Sequence, residues 1–186
     1  VIRKPEEDIV ATGSLLLNKK GKYAFTLDHT ENQLLQMLQN MKKGPLTLSI
    51  ELPEEKTDAI FNTGTLSFFT LQVKRKLAVS YEQNKFHFDI HFTIPIHLTE
   101  KHFTFDIRNE APKLEAEINQ QLEKQMKALI TKIQEHEIDP IGLGLYARGY
   151  QYKAWEGVQD DWGHALSEAE VNIHIHTEIK NMGETI

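Results

Sequence analysis

The most constraining feature of this chain is the strict alternation of large apolar and polar side chains from Phe86 to Ile96. Phe86, Phe88, Ile90, Phe92, Ile94 and Ile96 fall on one side of an extended backbone, and His87, Asp89, His91 and Thr93 on the other. The preceding arm repeats the pattern, with Phe69, Leu71, Val73, Leu77, Val79 and Tyr81 on one face and Lys74, Lys76 and Ser80 on the opposite one. Arg75 interrupts its apolar row. Glu82-Gln83-Asn84 supplies a turn between the arms. Two such arms predict a long hairpin in a sheet with one face buried and one wet.

A buried sheet face needs a cover, and the next segment offers one. Leu114, Ile118, Leu122, Met126, Leu129 and Ile133 recur at helical spacing and form one apolar stripe. Asn109 is the expected N-cap, with Pro112 in the first turn and Glu110, Glu115 and Glu117 near the positive end. Upstream, Ile9–Leu17 and Lys22–Leu27 read as a hairpin about the turn 18–21. Thr30 is the expected cap of a short helix carrying Leu34, Leu35, Leu38 and Met41, ended by Gly44-Pro45. Leu46, Leu48, Ile50 and Leu52 alternate as a strand, followed by a polar loop at Pro53–Lys56. The expected fold is α+β in two layers, a long helix and shorter helices on one face of a mixed, mainly antiparallel sheet. Residues 1–8 read as a tether, and residues 9–186 as a single domain.

Composition removes several function classes. A net charge of −6 argues against a nucleic-acid surface, which needs a concentrated basic face. No apolar run approaches the roughly 20 residues of a membrane-spanning helix. The absence of cysteine excludes disulfides, thiol catalysis and Cys-zinc sites.

The stretch from Asp139 to Gly183 organises the C-terminal part. Pro140 pushes Asp139 out of the α region and ends the long helix. A Gly142-Leu143-Gly144 pivot, an aromatic helix, Trp155, Trp162 and an alternating strand at Val171–Ile179 follow. Gly142 to Ala147 matches a GxGxxA dinucleotide fingerprint, but that fingerprint requires a strand feeding a helix N-terminus, and here a long helix precedes it. His87 and His91 share a strand face, as do His174 and His176, so neighbouring strands would bring together nitrogen and oxygen donors for zinc. Solvent faces of amphipathic strands carry histidine as an ordinary polar residue, and no metal or other cofactor is expected. There is no nucleophile elbow, HExxH or P-loop, and no catalytic residue is assigned.

Taken in order, several of these pieces resemble a known family. They are Gly13–Leu17 with Lys22–Leu27, the helix at 30–41, the lysine- and glutamine-rich helix at 114–137, and the Asp139-x-x-Gly142-x-Gly144 junction. Trp155, Trp162, and the terminal strand with Asn181-Met182-Gly183 complete the set. Together they resemble the C-terminal domain of the Ger(x)C spore germination lipoproteins, the C subunits of nutrient germinant receptors. The resemblance implies a non-enzymatic domain of a longer protein, lipid-anchored at the outer face of the spore inner membrane and partnered by integral-membrane subunits. Asp139, Gly142, Gly144, Trp155, Trp162 and Gly183 are then candidate structural or partner-contact residues. The competing expectation is a small-ligand pocket between helix 143–155 and the sheet.

Overall fold

The axis of the molecule is β6 (Lys85–Lys101), whose two edges are both occupied. The computed structural model describes residues 13–41, 45–52, 64–101 and 107–182. The 1–8 tether, Gly44, the 53–56 loop and Gly183 lie outside them. Before β6 come β1 (Ser14–Leu17), β2 (Tyr23–Leu27), α1 (His29–Leu38), β3 (Leu46–Glu51), β4 (Thr65–Thr70) and β5 (Lys74–Glu82). After it come α2 (Ile107–Glu135), α3 (Leu143–Tyr150), α4 (Tyr152–Glu156), a 3-10 turn (Gln159–Asp161), α5 (Trp162–Ser167) and β7 (Glu170–Met182).

β4 and β5 pair antiparallel with β6 along one edge, and β7 pairs parallel with it along the other. β3 extends the sheet beyond β4, and β1 with β2 forms a separate two-stranded ribbon. A parallel neighbour requires a crossover, which α2 and the short helices supply. The result is an α+β fold with helices on one face of a mixed, mainly antiparallel sheet. The alternation of β6 is complete: Phe86, Phe88, Ile90, Phe92, Ile94 and Ile96 are buried. Opposite them the α2 stripe of Leu114, Ile118, Leu122, Met126, Leu129 and Ile133 is buried throughout.

The arm before β6 departs from its expected register. Phe69 pairs with His97 and Lys74 with Thr93, so four residues on this side face three on β6. One extra residue inverts the side-chain parity. The buried residues of β4 are therefore Leu66, Phe68 and Thr70. Phe69 turns outward and stacks on His97 with centroids 4.9 Å apart, and Leu71 is exposed. Pro95 lies opposite the irregularity and has no N–H to give the ladder.

Three boundaries also differ. Asp28, not Thr30, caps α1: its carboxylate accepts the Glu31 N–H at 2.7 Å while Glu31 reaches back to the Asp28 N–H at 3.0 Å. This reciprocal capping box satisfies two otherwise orphaned donors. The helix stops at Leu38 because Asn40 adopts a left-handed conformation (φ 56°), which leaves Met41 exposed. α2 begins at Ile107, so Asn109 lies within it and Pro112 is inside the helix, at the cost of one ladder hydrogen bond.

The outer edge of β7 is closed by α2. Glu115, Asn119 and Glu123, spaced one turn apart, accept the N–H groups of Ile179 (2.8 Å), Thr177 (2.8 Å) and Ile175 (2.9 Å). An uncovered edge would present these donors to another strand. Thr177 occupies an inward position among isoleucines, and its hydroxyl bonds Asn119 at 2.9 Å.

Candidate functional site

The Asp139–Trp162 segment is built around one carboxylate. Asp139 Oδ1 accepts the N–H groups of Gly142 and Leu143 at 2.8 and 2.9 Å, and Oδ2 accepts Gly144 N–H at 2.7 Å and the indole Nε1–H of Trp162 at 2.8 Å. Three of the donors converge because α3 starts here and its first N–H groups have no partner within the helix; the fourth is the indole brought in by α5. Gly142 makes the entry with a left-handed backbone (φ 83°). Gly144 must lack a side chain, since a Cβ there would stand 2.7 Å from Trp162 Nε1. The indole is buried and meets Phe86 edge-on, with ring centroids 5.2 Å apart. The structure thus joins Asp139, Gly142, Gly144 and Trp162 into one unit seated on the end of β6.

Trp155 belongs to different surroundings. It is half-buried on α4, with the Arg148 guanidinium 5.8 Å from its ring centroid and Tyr152 beside it at 6.2 Å. Leu145, Tyr150 and Tyr152 are 68%, 70% and 54% exposed, so the α3–α4 hairpin presents an aromatic rim to solvent. The Tyr152 hydroxyl donates to the Glu156 carboxylate at 3.1 Å, and this bond holds the phenol above its usual pKa.

Residues given no role in the sequence lock this region to the sheet and to α1 and α2. Arg75, the interruption in the β5 apolar row, donates to the Leu38 carbonyl at the end of α1 and to the Tyr146 hydroxyl of α3. Its charge in an apolar row was the available signal. Gln39 Nε2 donates to the Pro140 carbonyl at 2.8 Å, and Gln134 Nε2 to the carbonyls of Leu166 and Ala169 at 2.9 and 2.8 Å. Gly163 lies so close to the turn that follows α2 that a Cβ would approach the Glu137 carbonyl oxygen to 2.1 Å. Its role was invisible in sequence because the contact is purely tertiary.

The histidine-bearing strands are neighbours. His91 pairs with His174 across β6 and β7, and their rings stack with centroids 4.5 Å apart. His87 Nδ1 lies 3.3 Å from Glu170 and His176 Nε2 3.7 Å from Glu178. Among the described residues no three histidine, aspartate or glutamate side chains are grouped to hold a metal. A cleft of about 310 Å³ lies between the β5–β6 turn and residues 157–168. Tyr81, Phe86 and Val158 line it with Asp160, Asp161 and Glu168. It lies beyond the expected helix 143–155, which is two helices broken at Gln151. These join the shared core through Leu143 and Ala147 and are tied to β5 by the Arg75–Tyr146 bond and by Gln151, bonded to the Val79 carbonyl at 3.3 Å. No helix among the described residues is long and apolar enough to cross a membrane.

A two-layer α+β domain knit by an Asp-x-x-Gly-x-Gly junction and a buried tryptophan is the class of molecule defined here. The chain belongs to the family described as spore germination B3/GerAC like, C-terminal, which it matches over residues 12–183. Its structure is similar to the crystal structure of the GerBC protein, with a TM-score of 0.71 and 22% sequence identity. That match covers 91% of this chain and 57% of the GerBC chain. No curated protein matches the sequence.

Proposed function

We propose that this chain is a non-enzymatic interaction domain of a nutrient germinant receptor, acting in spore germination by holding integral-membrane subunits. Membership of the spore germination family supports the setting. In this reading a lipid anchor elsewhere in the protein keeps the domain at the outer face of the spore inner membrane. The observation that carries the contact role is the exposed rim of Leu145, Arg148, Tyr150 and Tyr152, with the partly buried Trp155 beside it, on a clasped base. Tyrosine, tryptophan and arginine are the residues that dominate interface energetics. Gly183, outside the described residues, stays a candidate contact on the resemblance alone. The test places a photocrosslinker at Tyr150 or Tyr152 in the intact receptor within its membrane. Crosslinks to the integral-membrane subunits are expected there and not from His174 or His176 on the outer sheet face. The reverse pattern would overturn the assignment.

The cleft beside Phe86 favours a second reading, a small-ligand site whose apolar residues are joined by Asp160, Asp161 and Glu168 and by Lys85 and His164. Saturable binding of a small nutrient, detected by calorimetry and lost in Val158→Trp, would support it. Unchanged heats across candidate nutrients would remove it.

A further inference from the structure

The β1–β2 ribbon has two unlike faces. Phe25 and Leu27 point inward and are buried. The ribbon is fastened to the body by Lys132, whose ammonium donates to the Thr26 carbonyl at 3.1 Å and lies 4.9 Å from the Phe25 ring centroid. Ser14 adds a hydrogen bond to Asn32 of α1 at 2.9 Å. The outward positions are largely apolar, Thr26 excepted, whose hydroxyl lies 3.1 Å from that of Tyr23. Leu15, Leu17 and Tyr23 are 57%, 52% and 61% exposed, and Leu17 stands directly opposite Tyr23. Three large apolar groups on the wet side of a two-stranded ribbon contradict ordinary alternation. Such a patch marks a surface that meets something apolar.

The tip of the ribbon indicates what that is. Lys19, Lys20 and Lys22 are all exposed, and no carboxylate occurs from Gly13 to Leu27, in a chain whose net charge is −6. The turn is preorganised: Asn18 Oδ1 accepts the N–H groups of Lys20 and Lys22 at 2.9 and 3.0 Å. Gly21 takes the left-handed conformation (φ 72°) that the turn requires. Lysines beside two leucines and a tyrosine match the layers of a lipid interface. Apolar groups enter the acyl boundary, the phenol sits among headgroups and the ammonium groups meet phosphates.

We infer that the β1–β2 ribbon docks on an anionic lipid surface through Leu15, Leu17 and Tyr23, with Lys19, Lys20 and Lys22 paired to headgroup phosphates. This contact is separate from the aromatic rim on α3 and α4 and does not depend on it. An acidic protein surface is the rival occupant, and it lacks an acyl layer for the leucines.

The test is flotation of the chain with vesicles of phosphatidylcholine alone and with phosphatidylglycerol added. Binding is expected only to the anionic vesicles and should fall at high salt. The triple variant Lys19→Glu, Lys20→Glu, Lys22→Glu should bind on the order of a hundredfold more weakly, at roughly fivefold per basic residue. Leu15→Ser with Leu17→Ser should weaken binding while leaving the salt dependence in place. Circular-dichroism melts check that both variants fold. The lysine variant alone suffices if the leucine variant does not, because its positions are exposed turn residues. Equal binding to neutral and anionic vesicles overturns the inference, as does binding of the lysine variant at the wild-type level. Loss of receptor assembly in these variants with vesicle binding unchanged overturns it too, in favour of an acidic protein partner.

Discussion

Trp155 and Trp162 are near neighbours in sequence and opposite in circumstance. Trp162 is enclosed: its N–H is held by Asp139, its ring lies against Gly144, and Phe86 closes the remaining side. Trp155 is only partly buried, packed on one side against the core and flanked by Arg148 and Tyr152. The difference shows that one residue type in one segment serves two purposes. One indole fixes the path of the chain, and the other supplies a surface that the fixed path displays. A buried indole with a satisfied N–H contributes to folding, whereas a half-exposed one contributes chiefly when a partner covers it.

The sharpest way to break this comparison is truncation of both rings. Trp162→Ala should destabilise the domain by about 3–5 kcal/mol in denaturant melts, the range for a core aromatic. A loss near that expected for Trp155 would erase the distinction. Asp139→Ala should follow at about 2–3 kcal/mol, because it strands three backbone donors and the indole N–H. Asp139→Asn keeps one acceptor oxygen and should fall between the variant and wild type.

Gly144→Ala sharpens the comparison by coupling. In the wild-type background it should cost about 1–3 kcal/mol through overpacking on Trp162. In a Trp162→Ala background the clash is gone, and alanine should be neutral or stabilising by up to about 1 kcal/mol through helix propensity. Equal costs in both backgrounds would show that the indole is not the obstacle.

Trp155→Ala should cost only about 1 kcal/mol in the isolated domain, the usual size for an average substitution. Receptor assembly, read as recovery of the membrane complex, should nevertheless fall. Unchanged assembly would remove Trp155 from the proposed contact surface.

The smallest effect is spectroscopic. The Glu156 hydrogen bond favours the neutral Tyr152 phenol, so its contribution is present below the unfolded phenol pKa and is lost as pH rises through the higher folded value. Glu156→Gln should return that phenol toward its ordinary titration in ultraviolet absorbance, with no change in neutral-pH melting. An identical titration curve would show that the rim hydrogen bond does not persist in solution.

Much of the architecture was legible because period and spacing are local properties. The α2 stripe and the β6 row are buried residue for residue, since each face needed a large apolar partner and the two were consecutive in the chain. Asp139, Gly142 and Gly144 could be singled out because a helix stop and a glycine pivot are written in adjacent residues. That Trp162 and not Trp155 completes their unit was not legible, for the two rings offer the same chemistry until the chain returns.

The register of the arm before β6 was misread for a related reason. Alternation is visible along a strand, but an extra residue between Phe69 and Lys74 can be counted only against a partner. Likewise Glu115, Asn119 and Glu123 read as a solvated helix side until β7 arrives with three unpaired N–H groups. Arg75 read as an interruption until α1 and α3 offered it oxygen atoms. By itself the sequence determined which faces of β6 and α2 are apolar, because these follow from side-chain period. The helix ends were set by left-handed residues such as Asn40 and Glu137, which carry no clear mark in the sequence. Only the tertiary structure decided which polar groups satisfy one another, because hydrogen bonds join atoms distant in the chain and packing sets their reach.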